Sequence, residues 1–369
     1  MPLTANERLA HESVAHAINL DRYSNGVVRR IIAVLNKVDA DLFAQISQAL
    51  ESVSPDNFTV DRLETMLQSV RSLNKQAYEK VEQELSSELR DFADYETGFQ
   101  QQLFEDVLPV EVTYTAVTAE QAYTAAMSRP FQGRLLKEWA SSIEEDRMAR
   151  IRDAIRIAYV EGQSNSEIVQ RIRGTRAMGY ADGIIEIDRR HAQAVVQTAI
   201  SHMAGVTRDK VYEANADILK SVMWLSTLDN KTSTQCRIRD HLEYTTNEHK
   251  PIDHSIPWLA GPGRLHWNCR STSVPVLKSY KELGLDLEET DIKTRASMDG
   301  QVPADMTYAD WIKKQSAARQ DDILGETRGK LLRDGGLDLE NFYSNKGKWL
   351  TLEQLRARDA AAFRKAGIE

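Results

Sequence analysis

Cysteine is nearly missing from this chain: there are two in 369 residues, Cys236 and Cys269. Two cysteines exclude a disulfide framework and leave at most one bridge, formed on exposure to an oxidising medium. No run of eighteen apolar residues occurs, so no membrane-spanning segment and no membrane partner is expected. The opening MPLTANERLAHES has neither the basic start nor the apolar stretch of a secretory signal, and a soluble product made in the cytoplasm is expected. Basic excess is missing too. The net charge of -8 excludes a whole-surface attraction to nucleic acid and confines any contact with DNA to a local group, such as Arg29, Arg30 and Lys37 or Arg171, Arg173 and Arg176. Internal repeats, low-complexity blocks, an H-E-x-x-H helix, a glycine-rich phosphate loop and an evident paired-carboxylate site are also absent, which removes several familiar enzyme signatures.

What is present is an ordinary globular composition, 41% hydrophobic and 28% charged, in a chain long enough for two or three folded units. Val27, Val28, Ile31, Ile32, Leu35, Val38, Leu42, Phe43, Ile46 and Leu50 recur at three- and four-residue steps, which predicts a long amphipathic helix. Ser54, Pro55, Asp56 and Asn57 break the pattern before a second helical stretch over residues 60–108. Such an arm either lays its apolar stripe (Val28, Ile31, Ile32, Leu35, Leu42) against a partner or forms an ordinary helical subdomain. Residues 110–118, VEVTYTAVT, read as a strand or extended connector. Ser164 and Glu167 have capping-box spacing ahead of a helix that closes at Gly174, and a further helix is predicted over residues 186–215. VMWLSTL, residues 222–228, reads as a short buried strand, followed by a turn over residues 229–232. Helices are expected again over residues 308–323 and 352–363. The fold class expected is mainly α with a small α+β C-terminal domain: a long N-terminal helical arm or hairpin over 1–108, a Cys/His knuckle domain over 109–276, and a helical tail over 277–369.

The chemistry gathers around the two cysteines. Cys236 with His241 (C-x4-H) and His266 with Cys269 (H-x2-C) form two short ligand pairs joined by a loop, an arrangement able to wrap a tetrahedral zinc through thiolate and imidazole donors. His249 and His254, in that loop, are alternatives to His241 as fourth ligand. A packed cysteine and a hydrogen-bonded histidine under Trp224, Trp258 and Trp267 explain the same residues without metal. A cysteine nucleophile with a histidine base is a third reading. The loop HKPIDHSIPWLAGPG is too rich in proline and glycine for regular structure, and a segment this long without helix or strand is either functional or pinned, as ligation at both ends would pin it. Asp229 is suited to accept backbone hydrogen bonds in its turn, Thr232 to cap the helix that follows, and Arg270 to grip Asp229 or Asp240 in fork geometry.

The stretches WLSTLDNKTSTQCR (residues 224–237) and LHWNCRST (265–272) resemble the phage Mu F-like minor head protein family. The residues that carry the resemblance are Trp224, Asp229, Thr232, Cys236, His266, Asn268, Cys269 and Arg270. Where members have a glycine after an aspartate downstream of the first cysteine, this chain has Asp240 followed by His241. The resemblance implies a minor capsid, or head morphogenesis, protein of a tailed bacteriophage. Such a protein sits in the virion near the portal vertex and aids head assembly, genome packaging or DNA ejection. The partners implied are the portal protein, the major capsid protein and packaged DNA. A metal-dependent enzyme or toxin-like effector carried in the virion, and a local DNA-binding module, are the alternatives.

Overall fold

The three- and four-residue repeat of apolar side chains draws Ala5–Glu51 into one helix, α1. The computed structural model describes residues 4–51, 59–109, 112–279, 281–284, 295–303 and 305–368; the turn expected at Ser54 to Asn57 lies outside them. Helices α2 (Val60–Met66) and α3 (Gln68–Val107) follow, then α4 (Ala119–Met127), α5 (Leu136–Val160), α6 (Asn165–Arg173) and α7 (Ile184–Ala214). The capping box before α6 is formed: Ser164 and Glu167 satisfy each other's backbone N–H, and Gly174 closes the helix. Residues 112–118 pair with no strand and are an extended connector, held where Asn215 exchanges hydrogen bonds with the Thr115 backbone (2.6 and 2.9 Å).

Beyond α7 the chain turns to a small antiparallel sheet of order β2-β1-β3, with β1 Leu219–Leu225, β2 Glu243–Tyr244 and β3 Thr272–Leu277. A four-residue helix, α8 (Thr234–Arg237), lies between β1 and β2. Pro275 sits in β3 opposite Val222. A proline is tolerated there because β3 is an edge strand, where a missing N–H leaves no ladder bond unmade. The hairpin β4 (Arg295–Ser297) and β5 (Gly300–Val302) precedes the C-terminal helices α9 (Tyr308–Lys313), α10 (Ala317–Leu324), α11 (Glu326–Lys330), α12 (Leu352–Arg358) and α13 (Ala360–Lys365). The molecule is mainly helical with a small α+β part that carries the Cys/His cluster, as its sequence predicts.

Two compact units result, neither continuous in sequence. One draws on residues 1–20, 93–122 and 201–369, the other on 21–92 and 123–200. In the first, Leu9, Leu103 and Phe104 from the N-terminal helices share a core with Trp224, Tyr244, Trp258 and Val274. A second core of the same unit packs the C-terminal helices, through Tyr308, Trp311, Leu331 and Phe342, onto Leu228 and Ile238. Residues 1–108 therefore supply core to both units. The stripe expected to face a partner does not: Val28, Ile31, Leu35 and Leu42 are buried within the chain and Ile32 is half-buried. The apolar face is covered by the protein's own helices, so a docking stripe there is corrected to a core face.

In the other unit, the apolar stripe of α1 is interrupted by Asp39, a buried carboxylate that requires a partner. It has two: Arg147, itself buried, and Arg189 at 2.7 Å. Asp188 lies behind Arg147, its Oδ2 3.8 Å from Arg147 Nε and its Oδ1 3.4 Å from Arg150 Nη1. The first of these distances is too long for a hydrogen bond, so Asp188 gains attraction without full solvation. Burial pushes its carboxyl up to about 6, against the pull of Arg147 and Arg150. The folded state then holds a proton that the unfolded chain releases, and stability falls as pH rises through the window from about 4 to about 6. Asp188→Asn is expected to abolish this slope and to exceed the native chain at pH 7 by about 3 kcal/mol. Urea midpoints of both proteins at pH 4 and pH 7 check this, and parallel pH profiles contradict it.

Candidate metal centre

The local folding of residues 226–240 sets Cys236 in place. Asp229 Oδ1 accepts the N–H groups of Lys231 (3.0 Å) and Thr232 (2.9 Å), closing the turn after β1 as expected. The cap of α8 is Ser233, one residue later than predicted: its Oγ accepts the Cys236 N–H at 3.3 Å. Thr232 instead donates its hydroxyl to the Thr227 carbonyl and supports the turn. Ser226 Oγ donates to the Cys236 carbonyl at 2.8 Å, and the Ser226 N–H reaches Asp240 Oδ1 at 2.7 Å. The first cysteine is thus held by hydrogen bonds to its own backbone on both sides.

His266 and Cys269 come together in a tight turn closed by the Cys269 N–H on the His266 carbonyl (3.2 Å). Asn268 occupies the left-handed position of that turn at φ 55, a conformation asparagine adopts more readily than other non-glycine residues. This gives the asparagine of H-W-N-C a backbone reason. Arg270, next in the chain, grips Asp229 in fork geometry, Nη1 to Oδ2 at 2.6 Å and Nη2 to Oδ1 at 3.0 Å, as its sequence position suggests. The fork ties the turn after β1 to the start of β3. It also helps hold the Asp229 carboxyl below its usual range, outweighing burial together with the bonds from Thr232 and Lys231. Arg270→Ala is expected to cost about 2 kcal/mol, and Arg270→Lys most of that, because an ammonium cannot make the fork. Equilibrium unfolding in urea measures both; a lysine variant as stable as the native chain contradicts the fork's role.

The loop between the two halves is pinned by its own contacts. Arg239 Nε donates to the Pro257 carbonyl (3.0 Å), and Trp258 inserts edge-on between Trp224 (5.3 Å) and Tyr244 (4.8 Å). Gly261 has φ +90, and a Cβ there would lie 2.7 Å from the Trp258 indole nitrogen. This aromatic wedge pins the loop between the two ligand pairs.

Three of the four proposed ligands converge. Cys236 Sγ is 3.7 Å from Cys269 Sγ and 3.3 Å from His266 Nε2, and the three ligand atoms lie within 4.8 Å of one another. Both cysteines are buried and unbridged. His266 Nδ1 bonds the Trp267 carbonyl at 2.9 Å, which fixes the proton on Nδ1 and leaves the Nε2 lone pair for the sulfurs' side. Sulfurs about 2.3 Å from a tetrahedral zinc stand about 3.8 Å apart, and sulfur and imidazole nitrogen about 3.6 Å. The two observed separations, 3.7 and 3.3 Å, are close to these, so the three side chains lie close enough to hold a metal ion. Without one, Cys269 is held well below the usual thiol range by the hydrogen bond with Cys236 and by His266. The same bond and burial push Cys236 up, and Cys269 raises His266.

The fourth ligand expected from spacing is corrected. His241 takes φ 64 and sets its Nδ1 3.1 Å from Asp240, outside the cluster. His249 stacks on Trp258 at 4.5 Å, and His254 bridges the Glu243 carbonyl and the Ile256 N–H. The candidate DNA-contacting arginines are partly committed: Arg30 pairs with Glu88, Arg171 with Glu161, and Arg173 covers Tyr180. No described helix is long and apolar enough to cross a membrane. Sequence reasoning missed Ser233, whose Oγ lies 2.8 Å from His266 Nε2; its place three residues before Cys236, N-cap spacing, is the signal that finds it. No family model, curated protein or solved structure matches this chain.

Proposed function

We propose that this chain is a minor head protein of a tailed bacteriophage, bound at the portal vertex, in which Cys236, His266 and Cys269 hold a zinc ion that braces the sheet against its loop. The observation that carries the reading is the convergence of the motif. Trp224, Asp229, Thr232, Cys236, His266, Asn268, Cys269 and Arg270 are separated in sequence, yet Trp224 packs on the Trp258 wedge and the others fall in two turns, one fork and one ligand cluster. Zinc is the metal proposed because two thiolates and an imidazole are its preferred donors. The portal, the major capsid protein and packaged DNA are proposed as partners on the resemblance of the same motif to the Mu F-like family.

One observation favours a second reading, a zinc-dependent enzyme: the cluster offers three protein ligands, the number a catalytic zinc keeps. Against it, the nearby carboxylates of Asp229 and Asp240 are occupied by Arg270 and by backbone N–H groups, leaving neither free as a general base.

Imaging of intact particles of the phage that encodes this chain tests the proposal. Density for the chain around the portal vertex, in copies matching the portal's symmetry, is expected; particles that lack it overturn the reading. Excising residues 1–108 is not a usable portal-binding test, because it strips Leu9, Leu103 and Phe104 from the core around Trp224.

A further inference from the structure

We infer that the metal held by Cys236, His266 and Cys269 keeps its fourth position open to a small exogenous anion, with the Ser233 hydroxyl as the hydrogen-bond donor to that ligand; the inference rests on the metal reading above. The chain has eight histidines and two cysteines, and all of them fall within the described residues. Among the described residues, only these three bring their ligand atoms together here. No further thiolate or imidazole of this chain is available to close the site without rebuilding the fold around His241, His249 or His254.

Two serine hydroxyls reach the ligand atoms, Ser271 at Cys236 and Ser233 at the imidazole, 2.8 Å from His266 Nε2. The Ser233 oxygen accepts the Cys236 N–H, and its own proton has the Nε2 lone pair within hydrogen-bond reach. Because His266 Nδ1 is tied to the Trp267 carbonyl, Nε2 is the ligating atom. When a metal takes that lone pair, the Ser233 proton is released from Nε2 and is free to turn from the Cys236 sulfur to a ligand in the fourth position. A neutral alcohol is not among zinc's usual protein ligands, so the hydroxyl's role is to donate to what binds there. His266 itself is half-buried. The cysteines are buried, whereas Trp267 and Asn268, in the same turn, are exposed.

The test uses the full chain loaded with Co(II), whose visible spectrum reports coordination, titrated with azide. One cobalt per chain, a sulfur-to-cobalt charge-transfer band, and ligand-field bands that shift saturably with azide are expected. Ser233→Ala should keep the cobalt and weaken azide roughly tenfold, the loss of one hydrogen bond to a charged ligand. Ser233→Thr, which keeps the cap and the hydroxyl, should bind azide as the native chain does. Cobalt bound with a spectrum indifferent to azide overturns the open position and leaves the metal site standing. Equal azide affinity in the alanine variant overturns the role of Ser233. Failure to bind cobalt or zinc at all overturns the metal reading itself, and this inference with it.

Discussion

Cys269→Ala is expected to lower the stability of the unit that carries the sheet by about 5 kcal/mol at a free zinc concentration a thousandfold above the dissociation constant, about 4 of it from the lost metal. The separations among Cys236, His266 and Cys269 suit tetrahedral zinc, and a metal that binds the folded state stabilises it by mass action. Loss of the buried thiol's packing alone accounts for only about 1 kcal/mol. A chelator separates the two contributions. It should bring the native chain down to nearly the level of the alanine variant, while leaving the variant itself unmoved. Urea unfolding with and without chelator, followed by the fluorescence of the buried Trp224 and Trp258, provides the measurement. A variant that loses only the packing contribution, beside a native chain indifferent to chelator, contradicts the account.

The second large effect lies far from the cysteines in sequence and in the other unit. Asp39→Ala should cost about 3–5 kcal/mol, because it strands Arg147, buried with its guanidinium on Asp39 and only a long contact to Asp188. Arg189, half-exposed, loses its 2.7 Å partner as well but regains water. Asp39→Asn, which keeps the shape and one acceptor, should cost distinctly less. Hydrogen exchange read peptide by peptide separates the units. Faster exchange is expected in α5 and in the part of α7 before residue 201, with the β1–β3 sheet unchanged. Uniform loss of protection throughout the chain contradicts a local ion cluster.

Much of the helical framework is legible in the sequence because long helices announce themselves by period. The stripe from Val27 to Leu50 is α1, the capping box at Ser164 opens α6, and the predicted helix over 186–215 is α7. What covers such a stripe is not legible from its period. A face that suits a partner's groove equally suits the chain's own helices, and here Ile31, Leu35 and Leu42 are covered from within. The strand β3 is obscured by Pro275, which argues against a strand until the edge position is known. In the site, side chains whose chemistry demands a partner can be paired in advance, as Arg270 with Asp229. Spacing alone fails where backbone geometry decides: His241 follows Cys236 closely enough in sequence to serve as a ligand, but a left-handed backbone and the Asp240 carboxylate hold it away. The Asp39, Arg147 and Asp188 cluster leaves one trace, an aspartate on an apolar stripe, and its partners come from α5 and α7, more than a hundred residues away.

Elemental analysis of the full chain purified under reducing conditions, without chelator or added metal, tests the central claim most directly. One zinc per chain is predicted, falling to background in Cys236→Ala, His266→Ala and Cys269→Ala but retained in His241→Ala. A native chain with no metal above background, which also fails to take up added zinc, contradicts it.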